Sequence, residues 1–265
     1  MVRMNLGRAV GFSSFVASLA LALAPALAAL AALGCDKDAP KSEPGPAASA
    51  PKAAESAPPA PEPPRKLQLA LDDTAVFVGG ERVETSGADP KAKIALAFGD
   101  KSIEGETLVL NAARDAKMPK VTSLFSVVIG KKVKALEVHT PKRDRSEGVL
   151  TFVLSQKPAD CSAVGFISKE SAITAWPASG ATAERFARGM AGPDLTRGSE
   201  GIRKRVLACD APAWFLGADE SVTWGLVFDL ALAVSQVDDA GAIPAGKSLT
   251  LLTKTPVSGR KIEVE

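Results

Sequence analysis

The chain has 265 residues, of which 46% are hydrophobic and 5% aromatic, and this length allows one or two ordinary domains. The formal net charge is +2, and removal of Arg3 and Arg8 in the first segment leaves 30 basic and 30 acidic residues, so neither nucleic acid nor an anionic membrane surface is expected as a partner. One histidine and no tyrosine are a poor set of side chains for acid–base catalysis.

Residues 1–34 are predicted to be a lipoprotein signal peptide. Arg3 and Arg8 precede an uncharged run, rich in Ala and Leu, from Ala9 to Leu33. A positive start followed by an apolar run is typical of a secretion signal. The run is also long enough to span a bilayer, so an uncleaved anchor is the alternative. In both cases the flanking positive charges place the rest of the chain outside the cytoplasm.

The end of this run resembles a bacterial lipobox. The residues are Ala31-Ala32-Leu33-Gly34-Cys35, although the Leu stands two places before the Cys instead of the usual three. The resemblance implies cleavage before Cys35 and acylation of its thiol and new amino group. Each buried methylene of such a chain adds about 0.8 kcal/mol of membrane affinity. The alternative is an ordinary secretory signal that leaves a spare cysteine.

Residues 35–65 are predicted to form a disordered tether. Nine of the 19 prolines lie between Asp36 and Arg65, among Ala, Ser, Lys and Glu. This composition has no apolar periodicity and nothing to bury. A tether of this kind separates a domain from a membrane only when its first residue is attached to that membrane. This favours Cys35 as an anchor. We therefore expect a lipid-anchored protein of the cell envelope that faces the periplasm, with the choice of membrane left open.

The remainder of the chain contains an internal repeat of two copies. LVLNAARDAKMPKVTSLFSVV (Leu108 to Val128) aligns without a gap with WFLGADESVTWGLVFDLALAV (Trp214 to Val234) at an offset of 106 positions. Each segment reads as a buried strand, a polar turn and a helix with apolar residues at i, i+3, i+4 and i+7. The predicted copies are residues 66–147 and 148–265.

The flanks of the repeat agree with this assignment. LALDDTAVFV (Leu69 to Val78) and GFISKESAITAW (Gly165 to Trp176) both predict tight hairpins. Each copy then has a first helix, predicted from Asp89-Pro90 in one case and from a Ser199 cap in the other. In the first copy a strand is the alternative, because Ile94, Leu96 and Phe98 alternate with other residues. The segment Gly148 to Ser155 predicts a further strand that joins either sheet or links the two. The expected fold is α+β, with two tandem domains that each place two helices on one face of a small sheet.

The repeated unit resembles the periplasmic domain of the ExbD/TolR family of bacterial energy-transducing systems. The family pattern is a strand, A-D-x-x-V-P-Y-G-x-V and an amphipathic helix. The stretch from Gly217 to Val227 matches it at Ala218, Asp219, Val222, Trp224, Gly225 and Val227. The first copy keeps Ala112 and Val121, but Met118-Pro119 replaces the aromatic-Gly pair. The resemblance implies an interaction role, either with protein partners or with the cell wall.

The membrane segment departs from the family. The resemblance implies a single N-terminal membrane helix bearing an Asp that takes part in proton-driven work. Residues 9–34 contain neither Asp nor Glu. An acid inside the membrane is costly and is retained for function, so its absence predicts that this chain translocates no ions.

Cys161 and Cys209 are the candidate disulfide. Two thiols that remain in an oxidising compartment favour a bond between them, and two buried free thiols are the alternative. A catalytic Cys–His pair would need His139, which more often has a structural role in such a position. We predict no catalytic residue, no metal site and no cofactor.

Trp224, Arg203, Lys204 and Arg205 are the candidate interface residues. An aromatic residue at a helix entry can anchor a partner, and a basic block can contact an acidic one, although a solvated helix face is the favoured explanation of the block. The preferred function is a non-catalytic envelope protein that binds protein partners or peptidoglycan. The alternatives are an ExbD-like biopolymer-transport accessory subunit with an uncleaved N-terminal helix, and an envelope enzyme with an unrecognised site.

Overall fold

The structure, a computed structural model, describes residues 67–190, 192–236 and 243–264. All of them belong to one compact unit, residues 60–265. The predictions of the signal peptide, of lipidation at Cys35 and of the tether lie outside the described residues. Among the helices that the structure does describe, none has the length and apolar character needed to cross a bilayer.

The described residues form two similar series of elements, each running strand, strand, strand, helix, strand, helix, strand. One additional strand, β6, stands between the two series. In chain order the elements are β1 (Gln68–Leu71), β2 (Ala75–Val78), β3 (Glu81–Glu84), α1 (Pro90–Phe98), β4 (Thr107–Ala112), α2 (Met118–Gly130), β5 (Ala135–Pro141), β6 (Glu147–Val153), β7 (Ala163–Ile167), β8 (Ile173–Pro177), β9 (Glu184–Phe186), α3 (Leu195–Leu207), β10 (Ala213–Ala218), α4 (Trp224–Ser235) and β11 (Ser248–Leu251).

The strands form one sheet in the order β3-β2-β1-β4-β5-β6-β11-β10-β7-β8-β9. The α+β class is therefore confirmed. The sequence prediction gave each copy its own small sheet, whereas the described strands run through both copies without a break. Strand β6 makes the connection, since it pairs antiparallel with β5 and parallel with β11, where Phe152 lies opposite Leu249.

Both predicted hairpins form, as the antiparallel pairs β1–β2 and β7–β8. Helix α1 begins as predicted, because the Asp89 carboxylate accepts a hydrogen bond from the backbone N–H of Ala92 at 3.0 Å. The start predicted for α3 is wrong. Asp194, and not Ser199, caps this helix by accepting from the N–H of Arg197, and Ser199 lies inside the helix.

All four helices contribute to one core on the same face of the sheet. Their apolar residues form a continuous cluster with the strand residues that point toward them. An aromatic group crosses the boundary between the copies: the rings of Phe125 and Phe152 meet edge to face, and both contact Trp224, which also contacts Phe228. The two copies therefore share their core.

The repeat relates the two copies by a local pseudo-two-fold axis. The N–H of Met118 donates to the carbonyl of Val222 at 3.3 Å, and the N–H of Trp224 donates to the carbonyl of Ala116 at 2.8 Å. At an offset of 106 positions, Ala116 corresponds to Val222 and Met118 to Trp224, so each bond is the image of the other. Lys117 pairs with its own equivalent, Thr223, which places the axis between them. Contacts of this reciprocal kind are typical of a two-fold interface.

A disulfide joins Cys161 and Cys209, which lie 48 positions apart in the sequence. Cys161 precedes β7, and Cys209 follows α3. The bond ties the beginning of a central strand to the end of the helix that packs on it.

Candidate functional site: an open sheet face with a cleft

The surface of strands β1 to β6 that faces away from the helices is called here the open face. Its residues stand in register across the sheet, so neighbouring side chains form rows. One row crosses the sheet from the edge strand β3 through β2, β1, β4 and β5 to β6, with one residue from each strand. These residues are Arg82, Phe77, Ala70, Asn111, His139 and Val149. A second row consists of Gln68, Val109, Glu137 and Thr151. All ten side chains are exposed or half-buried.

The corresponding face of the second copy is covered by the chain's own last residues. Ile262 packs into a second apolar cluster with Val164, Phe166 and Phe215. The backbone N–H of Ile262 donates to the carbonyl of Ala178 at 3.0 Å. The two copies thus differ at equivalent faces of the sheet, because the last residues of the chain cover this face in the second copy.

The covering segment is held by further backbone contacts. The indole N–H of Trp176 donates to the carbonyl of Arg260 at 2.9 Å, and Trp176 is fully buried. Gly259 has a φ of 78°, and a Cβ added there would lie 2.8 Å from the carbonyl oxygen of Ala181. Glycine allows both this conformation and this close approach.

A cleft of about 390 Å³ lies where the parallel strands β1, β4 and β5 end. Its walls combine apolar side chains with polar and charged ones, and the residues are Leu71, Asn111, Ala112, Ala113, His139, Thr140, Pro141, Arg145 and Glu147. The carboxyl ends of parallel strands are a frequent place for ligands in open sheets. The Thr140 hydroxyl is not free for a ligand on this side, because it is buried and accepts a hydrogen bond from the Trp224 indole N–H at 2.9 Å.

His139 stands between two carboxylates at the wall of this cleft. Its Nε2 lies 2.8 Å from Oε1 of Glu137, and its Nδ1 lies 2.7 Å from Oε1 of Glu147. These two hydrogen bonds, the one to Glu137 foremost, raise the pKa of His139 above its usual value of 6.5, and partial burial opposes them. The sequence alone predicts no binding role for His139. Its two carboxylate partners lie on different strands, and their approach becomes visible only once β5 and β6 pair.

The residues at the cleft do not assemble a recognisable catalytic set. Cys161 and Cys209 are bonded to each other, so neither presents a thiolate to His139. In the three described ranges, no group of three or more His, Cys, Asp and Glu residues could hold a metal ion. The chemistry present is hydrogen bonding and charge on an open surface.

A second polar cluster lies at the junction of the two copies. Arg114, after β4, donates to both carboxylate oxygens of Asp229 on α4, at 2.9 and 2.7 Å, and Arg143 donates to Asp229 Oδ2 at 2.7 Å. The Asp229 side chain is 11% exposed, and its hydrogen bonds to Arg114 raise the pKa of that guanidinium. Shallow cavities of about 320 and 430 Å³ adjoin this cluster. Because both guanidiniums are already paired with Asp229, the cluster is a connection between the copies.

Two of the candidate interface residues are corrected by their burial. Trp224 is fully buried in the aromatic group of the core and presents nothing to a partner. Arg203 is 3% exposed and donates to the carbonyls of Ala233 and Val234, at the end of α4. Lys204 is exposed, and Arg205 is half-buried with its guanidinium 3.5 Å from Glu184. The predicted basic patch is therefore reduced to these last two residues.

No protein-family model, curated protein or solved structure matches this chain.

Proposed function

We propose that this chain is a non-catalytic, lipid-anchored protein of the cell envelope that binds a protein partner or the cell wall through the open face. The observation that carries the proposal is the difference between the two copies: one sheet face is covered by the last residues of the chain, and the described residues leave its counterpart accessible. The predicted lipidation at Cys35 and the predicted tether hold this face at a distance from a membrane.

The residue types on the two faces support this assignment. The β1–β4 pair Gln68 and Val109 corresponds in register to the β7–β10 pair Val164 and Phe215. The next pair, Ala70 and Asn111, corresponds to Phe166 and Gly217. Three of the four covered positions carry Val or Phe, and Gly217 is the fourth. Of the four open positions, one, Val109, carries an apolar side chain larger than Ala. The open face therefore remains solvated when no partner is bound, which suits reversible binding.

The resemblance to ExbD/TolR periplasmic domains supports an interaction role. Fold alone does not carry activity, so this support concerns the kind of surface and not a reaction. The run before Cys35 contains no Asp or Glu, which disfavours the alternative of a proton-driven transport subunit. The enzymatic alternative would have to act through His139, Glu137 and Glu147, the titratable groups at the cleft.

The proposal is tested with arginine substitutions on and off the open face. Asn111→Arg and Val149→Arg place a large charge on the open face, where Val149 is 45% exposed. Leu96→Arg, at a helix position that is 79% exposed, is the matched control. We expect the first two variants to lose chemical crosslinking in cells, or co-sedimentation with purified peptidoglycan, while the control retains it. Equal behaviour of all three variants, or no binding by the wild-type chain, would overturn the proposal.

The anchor is tested separately by mass spectrometry of the mature N-terminus. A diacylglyceryl group on Cys35 is the expected result. An unmodified Cys35, or a retained residue 1–34 segment, would exclude the lipid anchor without touching the assignment of the binding face.

A further inference from the structure

Outside the core, His139 lies between the carboxylates of Glu137 and Glu147, an arrangement that the proposed binding function does not explain. Glu137 precedes His139 by two positions on β5, and Glu147 lies at the beginning of β6. Each ring nitrogen of His139 contacts one carboxylate oxygen, at 2.8 and 2.7 Å. A neutral imidazole has one N–H and can donate only one of these bonds, whereas the imidazolium ion donates both. Protonation of the ring therefore allows both contacts to be hydrogen bonds to carboxylates.

We infer that a bound proton on His139 clamps β5 to β6 beside the cleft, and that loss of this proton releases Glu147 and changes the shape of the open face. With the neutral ring, one nitrogen lone pair faces a carboxylate, which is a repulsive contact. Glu147 is the group that moves, because its side chain is 67% exposed whereas that of Glu137 is 41% exposed. Glu147 is one of the residues that line the cleft, so its movement changes one wall of the cleft.

The charged groups around His139 favour this reading. On its own strand the neighbour is Glu137, on β6 it is Glu147, and the turn between the strands brings Arg145 to the same cleft. On the β4 side the neighbour is the uncharged Asn111. Among the described residues, Arg145 is the one Lys or Arg that lines the cleft, beside Glu147, while Glu137 contacts the His139 ring from the same strand. A protonated imidazole therefore adds a second positive charge next to the two carboxylates.

Three other charged groups near the turn, those of Arg114, Asp144 and Arg143, already have partners, and Lys142 lies beside Asp144. The Arg114 guanidinium pairs with Asp229 and also donates to the carbonyl of Pro141, at 2.9 Å. The Asp144 carboxylate accepts from the N–H and the hydroxyl of Ser146, at 2.9 and 2.6 Å, which lowers the pKa of Asp144. Arg143 pairs with Asp229. The hairpin that His139 clamps is thus also the element that reaches the second copy.

The sign of the pH dependence follows from the raised pKa of His139. A group with a higher pKa in the folded state stabilises the fold fully below its unfolded value, and this contribution is lost as pH rises through the folded value. The clamp is therefore closed in mildly acidic medium and opens as the medium becomes alkaline. A periplasmic location would expose this group to the pH of the surroundings, because small molecules and protons reach an envelope protein more directly than a cytoplasmic one.

The chain offers a direct test, because His139 is its one histidine. The NMR signal of its ring carbon-bound protons can be followed through pH without any assignment. We expect the pKa of His139 to exceed 6.5 in the wild-type chain and to fall in Glu147→Gln and in Glu137→Gln. Glu104→Gln, which removes an exposed carboxylate paired with Lys132, is the control and should leave the titration unchanged.

The structural consequence is measured by amide hydrogen exchange. Protection factors, which correct for the intrinsic effect of pH, should fall for the residues of β6 next to Glu147 as pH rises through the titration of His139. In His139→Gln this fall should be absent. A wild-type pKa at or below 6.5, an unchanged titration in Glu147→Gln, or protection that does not vary with pH would each overturn the inference. None of these results depends on the identity of the partner, so the test is independent of the proposed binding function.

Discussion

Arg114 and Asp229 form two hydrogen bonds, of 2.9 and 2.7 Å, across the junction of two copies of one repeated unit. The residues lie 115 positions apart, on the loop after β4 and on helix α4. Asp229 is the single charged residue of α4 and is largely buried, and it also accepts a hydrogen bond from Arg143. At this junction two guanidiniums therefore share one carboxylate, which adds to the backbone and aromatic contacts between the copies.

Replacement of this carboxylate tests how much the junction depends on it. Asp229→Asn keeps the shape of the side chain but leaves Arg114 and Arg143 without their counter-charge. We expect a loss of about 2 kcal/mol in the free energy of unfolding, below the range for a fully buried pair because Arg114 is partly exposed. Urea titration measures this loss. Glu84→Gln, at the exposed pair with Arg82, should cost less than about 0.5 kcal/mol, and equal effects of the two variants would contradict the role given to Asp229.

Gly225 provides a steric test of the same junction. A Cβ at this position would lie 2.9 Å from both the Cβ and the carbonyl oxygen of Arg114. Gly225→Ala should therefore destabilise the chain by about 1–3 kcal/mol by pushing the beginning of α4 away from the loop after β4. Gly130→Ala, at a helical glycine with nothing within 4 Å, is the control and should be neutral or stabilising by up to about 1 kcal/mol. If both variants stabilise the chain in thermal or urea unfolding, the copies are not in close contact here.

The disulfide is expected to contribute strongly to stability. For a closed loop of this length the chain-entropy relation gives about 4 kcal/mol. The double variant Cys161→Ala/Cys209→Ala, measured by urea unfolding, should show a loss of this order. Addition of a reductant should lower the stability of the wild-type chain and not that of the variant. Detection of two free thiols from Cys161 and Cys209 in denatured, unreduced protein would show that the bond does not form.

The covering segment of the second copy gives a further prediction. Ile262 is 4% exposed against the apolar cluster of that face, whereas Val257 in the same segment is 62% exposed. Ile262→Asp should cost about 2–4 kcal/mol and expose apolar surface, because it places an unpaired charge in an apolar contact. Increased binding of a hydrophobic dye should accompany the loss. Val257→Asp should change neither property, and a similar response of both variants would mean that the segment does not cover the sheet.

Much of the fold could be predicted from the repeat and from local patterns. The two hairpins, helices α2 and α4 and the strands that flank them have strong periodicity or turn signals. Strands β3 and β9 were not predicted. They have four and three residues, they lie at the two edges of the sheet, and they carry charged side chains that a solvated edge permits.

The remaining features depend on contacts between distant parts of the chain. The sequence left open whether β6 joins either sheet or links the two, because its alternating pattern fits either neighbour equally well. The burial of Trp224 and Arg203 has the same origin, since both are covered by elements from elsewhere in the chain. The one local signal that could have indicated the junction is Asp229, an isolated acid in an otherwise apolar helix sequence. A buried carboxylate requires a positively charged or hydrogen-bonding partner, but the sequence does not show which arginine provides it.

Site-specific photocrosslinking in living cells examines the open face as a binding surface without any assumption about the partner. A photoreactive residue is placed at Val149 on the open face and, as the control, at Leu96 on helix α1. We expect a discrete crosslinked product, either with one envelope protein or with cell-wall material, from position 149 and not from position 96. The absence of any product from position 149, or the same products from both positions, would contradict the assignment of the open face as the binding surface.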